Sequence, residues 1–201
     1  MPLLTRTLVN LRVRLWGRLV LTSMLAILVL SPAPAGSEST SPGRTHEYNL
    51  KAVFLFQFAH FVTWPAGSFR DENTPITIGV LGEDPFGGAL DEVVAGEVVG
   101  ARRLDVRRYQ LVDQVGACHI LFISASEAGR LPAVLAGLKG RNVLTVGDTK
   151  DFATRGGIVG FAVDRKRLKL RVNLAAADSA QLTISSKLLR QAEVVRKGAK
   201  R

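Results

Sequence analysis

The sequence predicts a layered α/β domain, with a mostly parallel sheet of about five or six strands, a C-terminal antiparallel hairpin and helices on the faces of the sheet. Short apolar runs alternate with segments of helical periodicity, which is typical of strands joined by crossover helices. One early helix is apolar around most of its circumference. Towards the C-terminus, two alternating segments flank a polar turn, and this pattern indicates a hairpin.

The first element is the segment YNLKAVFLFQFAHFVTWP, residues 48–65, whose apolar content is too high for a surface helix. At 100° per residue its polar positions form one narrow strip, and nearly every other position is Phe, Leu, Val or Ala. Thr45 is a suitable N-cap, and Trp64 followed by Pro65 stops the helix. The later elements must therefore cover this helix. The strip comprises Asn49, Gln57, His60 and Thr63.

The later elements alternate between strands and helices. ITIGVL (76–81) and CHILFIS (118–124) are continuous apolar runs, as expected of central parallel strands. Further strands are predicted at 104–109, 142–146, 158–163 and 167–174. Helices are predicted at 89–94, 127–138 and 183–196.

The last predicted strand, RLKLRVNL, alternates charged and apolar side chains. Arg167, Lys169 and Arg171 are expected on its outer face, where they form a candidate partner face. Charges on an outer strand discourage further pairing, so this segment is predicted to be an edge strand.

The N-terminal segment predicts export. It is rich in arginine and has no acid before Leu19, then contains the apolar run LVLTSMLAILVL and a small-residue cleavage site at Ala33-Pro34-Ala35. The alternative is a membrane anchor, but roughly a dozen apolar residues fall short of the ~20 that a spanning helix needs. We therefore expect a signal peptide (1–35), a flexible tether (36–44), a single domain (45–196) and a basic tail (197–201).

The chemistry-bearing residues predict a binding protein without a cofactor. The three histidines lack the spacing of a metal site, and no nucleophile elbow, P-loop or dinucleotide fingerprint occurs. The single cysteine, Cys118, lies in an apolar run and is expected to be buried. The net charge of +10 does not indicate nucleic acid as a partner, because the protein is expected to be exported.

Polar residues follow three of the predicted parallel strands, whose carboxyl ends meet at one edge of a sheet. We take these residues as a candidate binding rim, although GEDPFGG also fits a tight turn with its phenylalanine in the core. The rim comprises Glu83, Asp84, Phe86, Ser124, Ser126, Glu127 and Asp148.

Five segments, taken in order and spacing, resemble the YfiR family of small periplasmic proteins. They are YNLKAVFLFQFAHFVTWP, IGVLGEDPFGGAL, CHILFIS, LTVGD with FATRGGIVGF, and ISSKLL. The resemblance covers residues 48 to 192.

This resemblance implies a periplasmic, non-enzymatic homodimer that binds the sensor domain of an inner-membrane diguanylate cyclase and holds it inactive. Lower cyclic di-GMP and less biofilm would follow. It also implies relief by an outer-membrane, peptidoglycan-associated protein. Better known members use disulfides, which the single Cys118 cannot form within one chain.

Two alternatives remain open on the sequence. The chain could be a ligand-sensing module that serves another membrane receptor such as a histidine kinase. It could also be an enzyme whose site follows no recognised motif. The identity of the membrane partner would separate the first alternative from cyclase inhibition.

Overall fold

A sheet with helices on both faces organises the residues that the computed structural model describes, 42–165 and 167–195. The strands are β1 (Val62–Thr63), β2 (Ile76–Leu81), β3 (Val98–Val99), β4 (Arg102–Tyr109), β5 (Ile120–Ile123), β6 (Leu144–Gly147), β7 (Val159–Asp164), β8 (Arg167–Asn173), β9 (Thr183–Ile184) and β10 (Ala192–Val195). The helices are α1 (Pro42–Phe61), α2 (Ala89–Val94), α3 (Leu131–Gly137), α4 (Leu174–Ser179) and α5 (Ser186–Leu189).

The main sheet of the described residues has eight strands in the order β10-β8-β7-β6-β5-β2-β4-β3. The five strands from β7 to β4 run parallel to one another. β7 and β8 form the antiparallel hairpin, and β10 adds to β8 in parallel. A separate two-stranded sheet joins β1 to β9, so it ties the end of α1 to the C-terminal segment.

The two faces of the main sheet carry separate apolar cores. On one face α1 and α2 pack over alternate residues of the central strands, with Phe58, Phe122 and Val146 buried at the centre. On the other face α3 covers Leu121 and Ile123. Central strands that are buried on both sides must be apolar throughout, which explains the continuous runs in the sequence.

The loop after α1 is fixed to the sheet by the buried His119, the residue immediately before β5. Its Nδ1 accepts a hydrogen bond from the Thr77 backbone N–H at 3.0 Å, and its Nε2 lies 3.2 Å from the carbonyl oxygen of Ser68. The ring of Phe69 stacks on the imidazole, with the ring centroids 4.4 Å apart. Because Nδ1 is an acceptor, the neutral imidazole with its proton on Nε2 satisfies both contacts.

The structure confirms the predicted class, an α/β domain with a mostly parallel sheet and a C-terminal antiparallel hairpin. It has more strands than the five or six expected, since β3 and β10 are too short to give a clear strand pattern in the sequence. The helix expected from residue 127 begins at Leu131, after a short 3-10 turn at Ala125–Glu127.

The helix predicted for 183–196 is wrong: this segment contains β9, α5 and β10 instead. The apolar residues of this segment are buried without a continuous helix, because Ile184 lies in β9 and Leu188 lies in α5. The edge position predicted for β8 is also wrong, because β10 pairs beside it. Glu193 of β10 lies opposite Arg171 with 3.2 Å between the charged groups, so the cation on β8 attracts this neighbour.

Several expectations concern residues outside the described part of the chain. The signal peptide at 1–35 and the basic tail at 197–201 lie there, as does most of the tether at 36–44. The last three tether residues fall in the first turn of α1, which begins at Pro42. None of the described helices has the length and apolar character needed to cross a membrane.

Phe58 offers a test of how α1 packs. It is fully buried, and its ring centroid lies 6.1 Å from that of Phe161 on β7. Phe58→Ala should lower the free energy of unfolding by about 3 to 5 kcal/mol, because it opens a cavity in the core. Gln57→Ala, at a half-buried neighbouring position, should be close to neutral. Equal shifts of the urea midpoint in the two variants would contradict this packing.

His119 predicts a pH-dependent stability. Burial lowers its pKa below the ordinary value of 6.5, because protonation would create a positive charge at a site shielded from water. The unfolded chain then binds the proton more readily, so this contribution is fully present above about pH 6.5 and is lost as the pH falls towards the folded pKa. Urea midpoints between about pH 5 and pH 7.5 should rise with pH.

The matched controls for this pH dependence are two histidine variants. His119→Gln should flatten the rise in urea midpoint, because a glutamine amide does not titrate. His60→Gln should preserve it, because His60 is exposed. Identical slopes in the parent and in His119→Gln would show that another group carries the pH dependence.

Candidate functional site

The candidate site lies at the carboxyl edge of the parallel strands, where the loops after β2, β5 and β6 meet. β5 pairs in parallel with β2 on one side and with β6 on the other, so their ends at Leu81, Ile123 and Gly147 lie along one edge. The structure thus places all seven residues of the candidate rim in loops at this edge.

The loops after β2 and β5 bind each other through Ser126. Its hydroxyl oxygen accepts a hydrogen bond from the Glu83 backbone N–H at 3.0 Å, and its own N–H donates to the Ser124 hydroxyl at 3.4 Å. Gly82 has φ +88°, and a Cβ there would collide with the Ser126 hydroxyl. Glu127 is buried and pairs with Arg130 at 2.7 Å. These contacts occupy the polar groups of the two loops and fix the loops to each other.

The GEDPFGG turn is also internally bonded. Asp84 accepts the Phe86 backbone N–H at 2.8 Å and pairs with Arg108 at 2.8 Å. Phe86 is buried, with its ring 4.8 Å from Phe122 and 5.5 Å from Tyr48 between centroids. The sequence left two interpretations open for this segment, a binding loop and a tight turn. The structure shows the tight turn, with its phenylalanine in the core.

Asp148, after β6, has a different environment, because its carboxylate accepts hydrogen bonds from side chains of α1. Its Oδ2 accepts hydrogen bonds from the Lys51 ammonium at 2.6 Å and from the Tyr48 hydroxyl at 2.8 Å. Lys51 also pairs with Glu47 at 2.5 Å. The side chains of Lys51 and Asp148 are only 3% and 7% exposed, so this is a buried ion pair. Burial and the adjacent carboxylate raise the pKa of Tyr48, which keeps its hydroxyl protonated as a donor.

A groove of about 560 Å³ opens beside this ion pair, and we call it the hairpin groove. It lies between the first turns of α1, the loop 148–153 and the β7–β8 hairpin. Its charged lining comprises Glu47, Lys51, Asp148, Lys150, Asp151, Asp164, Lys169, Arg171 and Glu193. Asp148 of the rim therefore shares one groove with Lys169 and Arg171 of the candidate partner face, two sets that the sequence predicted separately.

The hairpin groove is internally compensated. Lys169 pairs with Asp164 at 2.5 Å, and Arg171 contacts Glu193 at 3.2 Å and Asp151 at 3.6 Å. These pairs are solvent-exposed, so each contributes only about 0 to 1 kcal/mol to stability. Arg167 is exposed at the start of β8 but is not part of the lining.

The arrangement favours recognition through charge. As far as the described residues go, the hairpin groove has no His, Cys or Ser in its lining, and no group of three or more His, Cys, Asp or Glu could hold a metal. Cys118 is buried, which raises the pKa of its thiol to about 12, so it is a thiol at neutral pH. The site therefore offers hydrogen bonds and charges of both signs.

Lys51 and Tyr48 are the site residues that the sequence did not reveal. The helical pattern of the sequence puts Lys51 with Glu47 among the charges of the first turns, whereas the structure buries Lys51 against Asp148. A signal was present: Lys51 lies four residues after Glu47 and is the one cation in the apolar stretch 48–65. The sequence did not show which distant carboxylate would receive it.

Residues 48–193 match the family described as YfiR/HmsC-like. A search of curated proteins found no significant match. Among solved structures, the chain resembles the ABC domain in complex with L-Trp from Streptococcus pneumonia, with 11% identity, a TM-score of 0.49, and coverage of 72% of this chain and 60% of that one. It also resembles a conserved domain protein from Vibrio cholerae O1 biovar El Tor, with 13% identity, a TM-score of 0.48, and coverage of 78% and 60%.

The chain thus spans 60% of the length of both solved structures.

Replacing Lys51 by methionine tests the buried pair. Lys51→Met should lower the free energy of unfolding by about 3 to 5 kcal/mol, because it leaves the Asp148 carboxylate buried without its cation. The double variant Lys51→Met/Asp148→Leu should recover much of that loss, since it removes both charges.

Lys150→Met is the matched control for this replacement, because Lys150 is an exposed lysine of the same groove. It should change the free energy of unfolding by less than about 0.5 kcal/mol. Urea titrations of the parent, Lys51→Met, Asp148→Leu, the double variant and Lys150→Met give the comparison. A double variant that loses as much stability as the sum of its single variants would show that the two side chains do not interact.

Proposed function

The chain belongs to the YfiR/HmsC-like family, and we propose that it is a periplasmic regulator that binds and inhibits the sensor domain of an inner-membrane diguanylate cyclase. Inhibition would lower cyclic di-GMP and with it biofilm formation. The family match over residues 48–193 is the observation that carries this proposal. Non-enzymatic action, a homodimeric state and relief by an outer-membrane, peptidoglycan-associated protein belong to the same proposal.

The hairpin groove and the outer residues of β8 supply the proposed contact surface. Arg167 and Lys169 are exposed and Arg171 is half-buried, while Leu170 and Val172, on the other face of β8, are buried in the core. The cations can therefore meet a partner without disturbing the packing of β8. Charge of this kind steers association and selects the partner, even where its net contribution to affinity is small.

The hairpin itself also favours recognition by this surface. Only Val159 and Gly160 of β7 pair with β6, so the rest of β7 pairs with β8 alone and extends past the end of β6. Val163, near the turn, has 58% of its surface exposed. An extended hairpin with an exposed valine beside a charged strip provides an apolar contact within a polar rim, as protein interfaces commonly do.

Binding to a receptor other than a cyclase is the second candidate function. The hairpin groove favours it, because a small ligand held there could be sensed on behalf of a histidine kinase. The two candidates differ in the membrane protein that the purified chain captures from inner membranes, and the captured protein is identified by mass spectrometry.

Stoichiometry and charge reversal test the proposed inhibition. The purified protein is titrated against membranes that contain the captured full-length cyclase, and cyclic di-GMP output is followed. A regulator that acts by occupancy should reach full inhibition near one equivalent, because it stabilises the inactive state only while bound. Reversal of Arg167, Lys169 and Arg171 to Glu should weaken inhibition about tenfold or more without unfolding the chain.

The control carries the same change of charge at the other end of the sheet. Arg70, Arg103 and Arg107 are exposed near β2 and β4, and their reversal to Glu should leave inhibition unchanged. Inhibition by a small fraction of an equivalent would indicate an enzyme. A β8 variant that folds and inhibits like the parent would exclude this face from the interface.

A further inference from the structure

A second groove, of about 620 Å³, lies between α3, α4 and the loops that flank β6, and we call it the basic groove. Its volume falls within the range of small-molecule sites. Much of its lining is aliphatic. The aliphatic residues are Pro132, Leu135, Ala136, Leu138, Val143 and Ile158, together with Ala175, Ala176 and Ala180 of α4 and its C-cap.

The charge of the basic groove has one sign. Lys139, Arg141 and Arg155 line it, and no Asp or Glu does so among the residues that the structure describes. This differs from the hairpin groove, where carboxylates and cations alternate and pair. The basic groove therefore presents a positive potential at a largely apolar surface.

The two arginines contact backbone oxygens rather than carboxylates. Arg141 Nη2 donates to the carbonyl oxygens of Val115, at 2.7 Å, and of Gly116. Arg155 Nη2 donates to the carbonyl oxygen of Ala128 at 3.1 Å. These bonds hold the guanidinium groups in place but leave their charge without a counter-charge. Lys139 likewise forms no ion pair with a described residue.

The walls of the groove are fixed before any ligand binds. The Asn142 amide donates to the carbonyl oxygen of Ala180 and to the Gln181 side chain, each at 3.0 Å, and so holds the end of α4. Asn173 caps the start of α4 by accepting the Ala176 N–H at 3.0 Å, and its own amide donates to the carbonyl oxygen of Ala153 at 2.8 Å. A preformed site avoids the cost of ordering its walls on binding.

We propose that the basic groove binds a small organic anion with an apolar body, such as an aliphatic or aromatic carboxylate or sulfonate. The aliphatic lining suits the body of such a molecule, and the three cations compensate its acid group. A cationic ligand would find no carboxylate in the described lining. A fully hydrated inorganic anion would leave the aliphatic surface unused. This binding does not depend on the proposed role in cyclase inhibition.

Two fluorescent probes with nearly the same ring system test the proposal. 8-Anilinonaphthalene-1-sulfonate carries the anion, and N-phenyl-1-naphthylamine is the uncharged counterpart. The whole chain is expressed and the protein is purified. Each chain should bind one molecule of the sulfonate probe. Lys139→Gln/Arg155→Gln should weaken its binding about tenfold, the effect of two largely exposed charge contacts. The uncharged probe should bind the parent and this variant equally.

The control is Lys150→Gln/Lys169→Gln, which removes the same charge from the hairpin groove and should leave sulfonate binding unchanged. If the double variant of the basic groove does not fold, Lys139→Gln alone changes an exposed side chain and should weaken binding about threefold. Equal binding of the two probes, or equal loss in the control variant, would overturn the proposal. A change in oligomeric state with unchanged probe binding would assign the groove to contact between copies, and would also overturn it.

Discussion

The buried ion pair between Lys51 and Asp148 fixes the position of α1 on the sheet. Apolar packing is not directional, so the apolar surface of α1 could be buried at several rotations and shifts. A buried cation and a buried carboxylate are costly unless they meet, which penalises every arrangement that separates them. Tyr48 adds a hydrogen bond to the same carboxylate at 2.8 Å. One polar contact thus selects one position of α1 among the many that would bury its apolar surface. The elements that pack against α1 are positioned with it.

That contact also forms the hairpin groove. It holds the first turns of α1 against the loop after β6, and the extended β7–β8 hairpin closes the third side. The groove is therefore made of three segments that lie far apart in the sequence. Its charges are nearly balanced, so the proposed partner would have to replace existing ion pairs with better ones, and this requirement favours selective over non-specific binding.

Strand β8 links this groove to the basic groove. Lys169 and Arg171 line the first, and Asn173 at the end of the same strand lines the second and caps α4. A strand held by β7 on one side and β10 on the other is a rigid element. A molecule in the basic groove would contact one end of β8, and the outer residues of β8 form the proposed partner face. Both surfaces are therefore built on the same strand.

The sequence by itself determined the α/β class, the buried first helix, the central strands and the β7–β8 hairpin. Each of these depends on local patterns: a continuous apolar run, helical periodicity, or alternation around a polar turn. It also placed the candidate rim correctly at one edge of the sheet, because parallel strands bring their carboxyl ends together. What it did not show is that most of the rim is bonded internally and that, of the rim residues, Asp148 alone forms hydrogen bonds to α1.

Only the tertiary structure decided the outcome where a segment was short or a partner was distant. Residues 192–195 fit a helical stripe, but the open side of β8 and the charge of Arg171 drew them into the sheet. The helix pattern placed Lys51 near the start of α1, yet its burial depended on a carboxylate 97 positions later in the chain. Local periodicity reports how a segment divides its surface between core and solvent. Strand addition and ion pairing depend on which unpaired groups the rest of the fold leaves within reach.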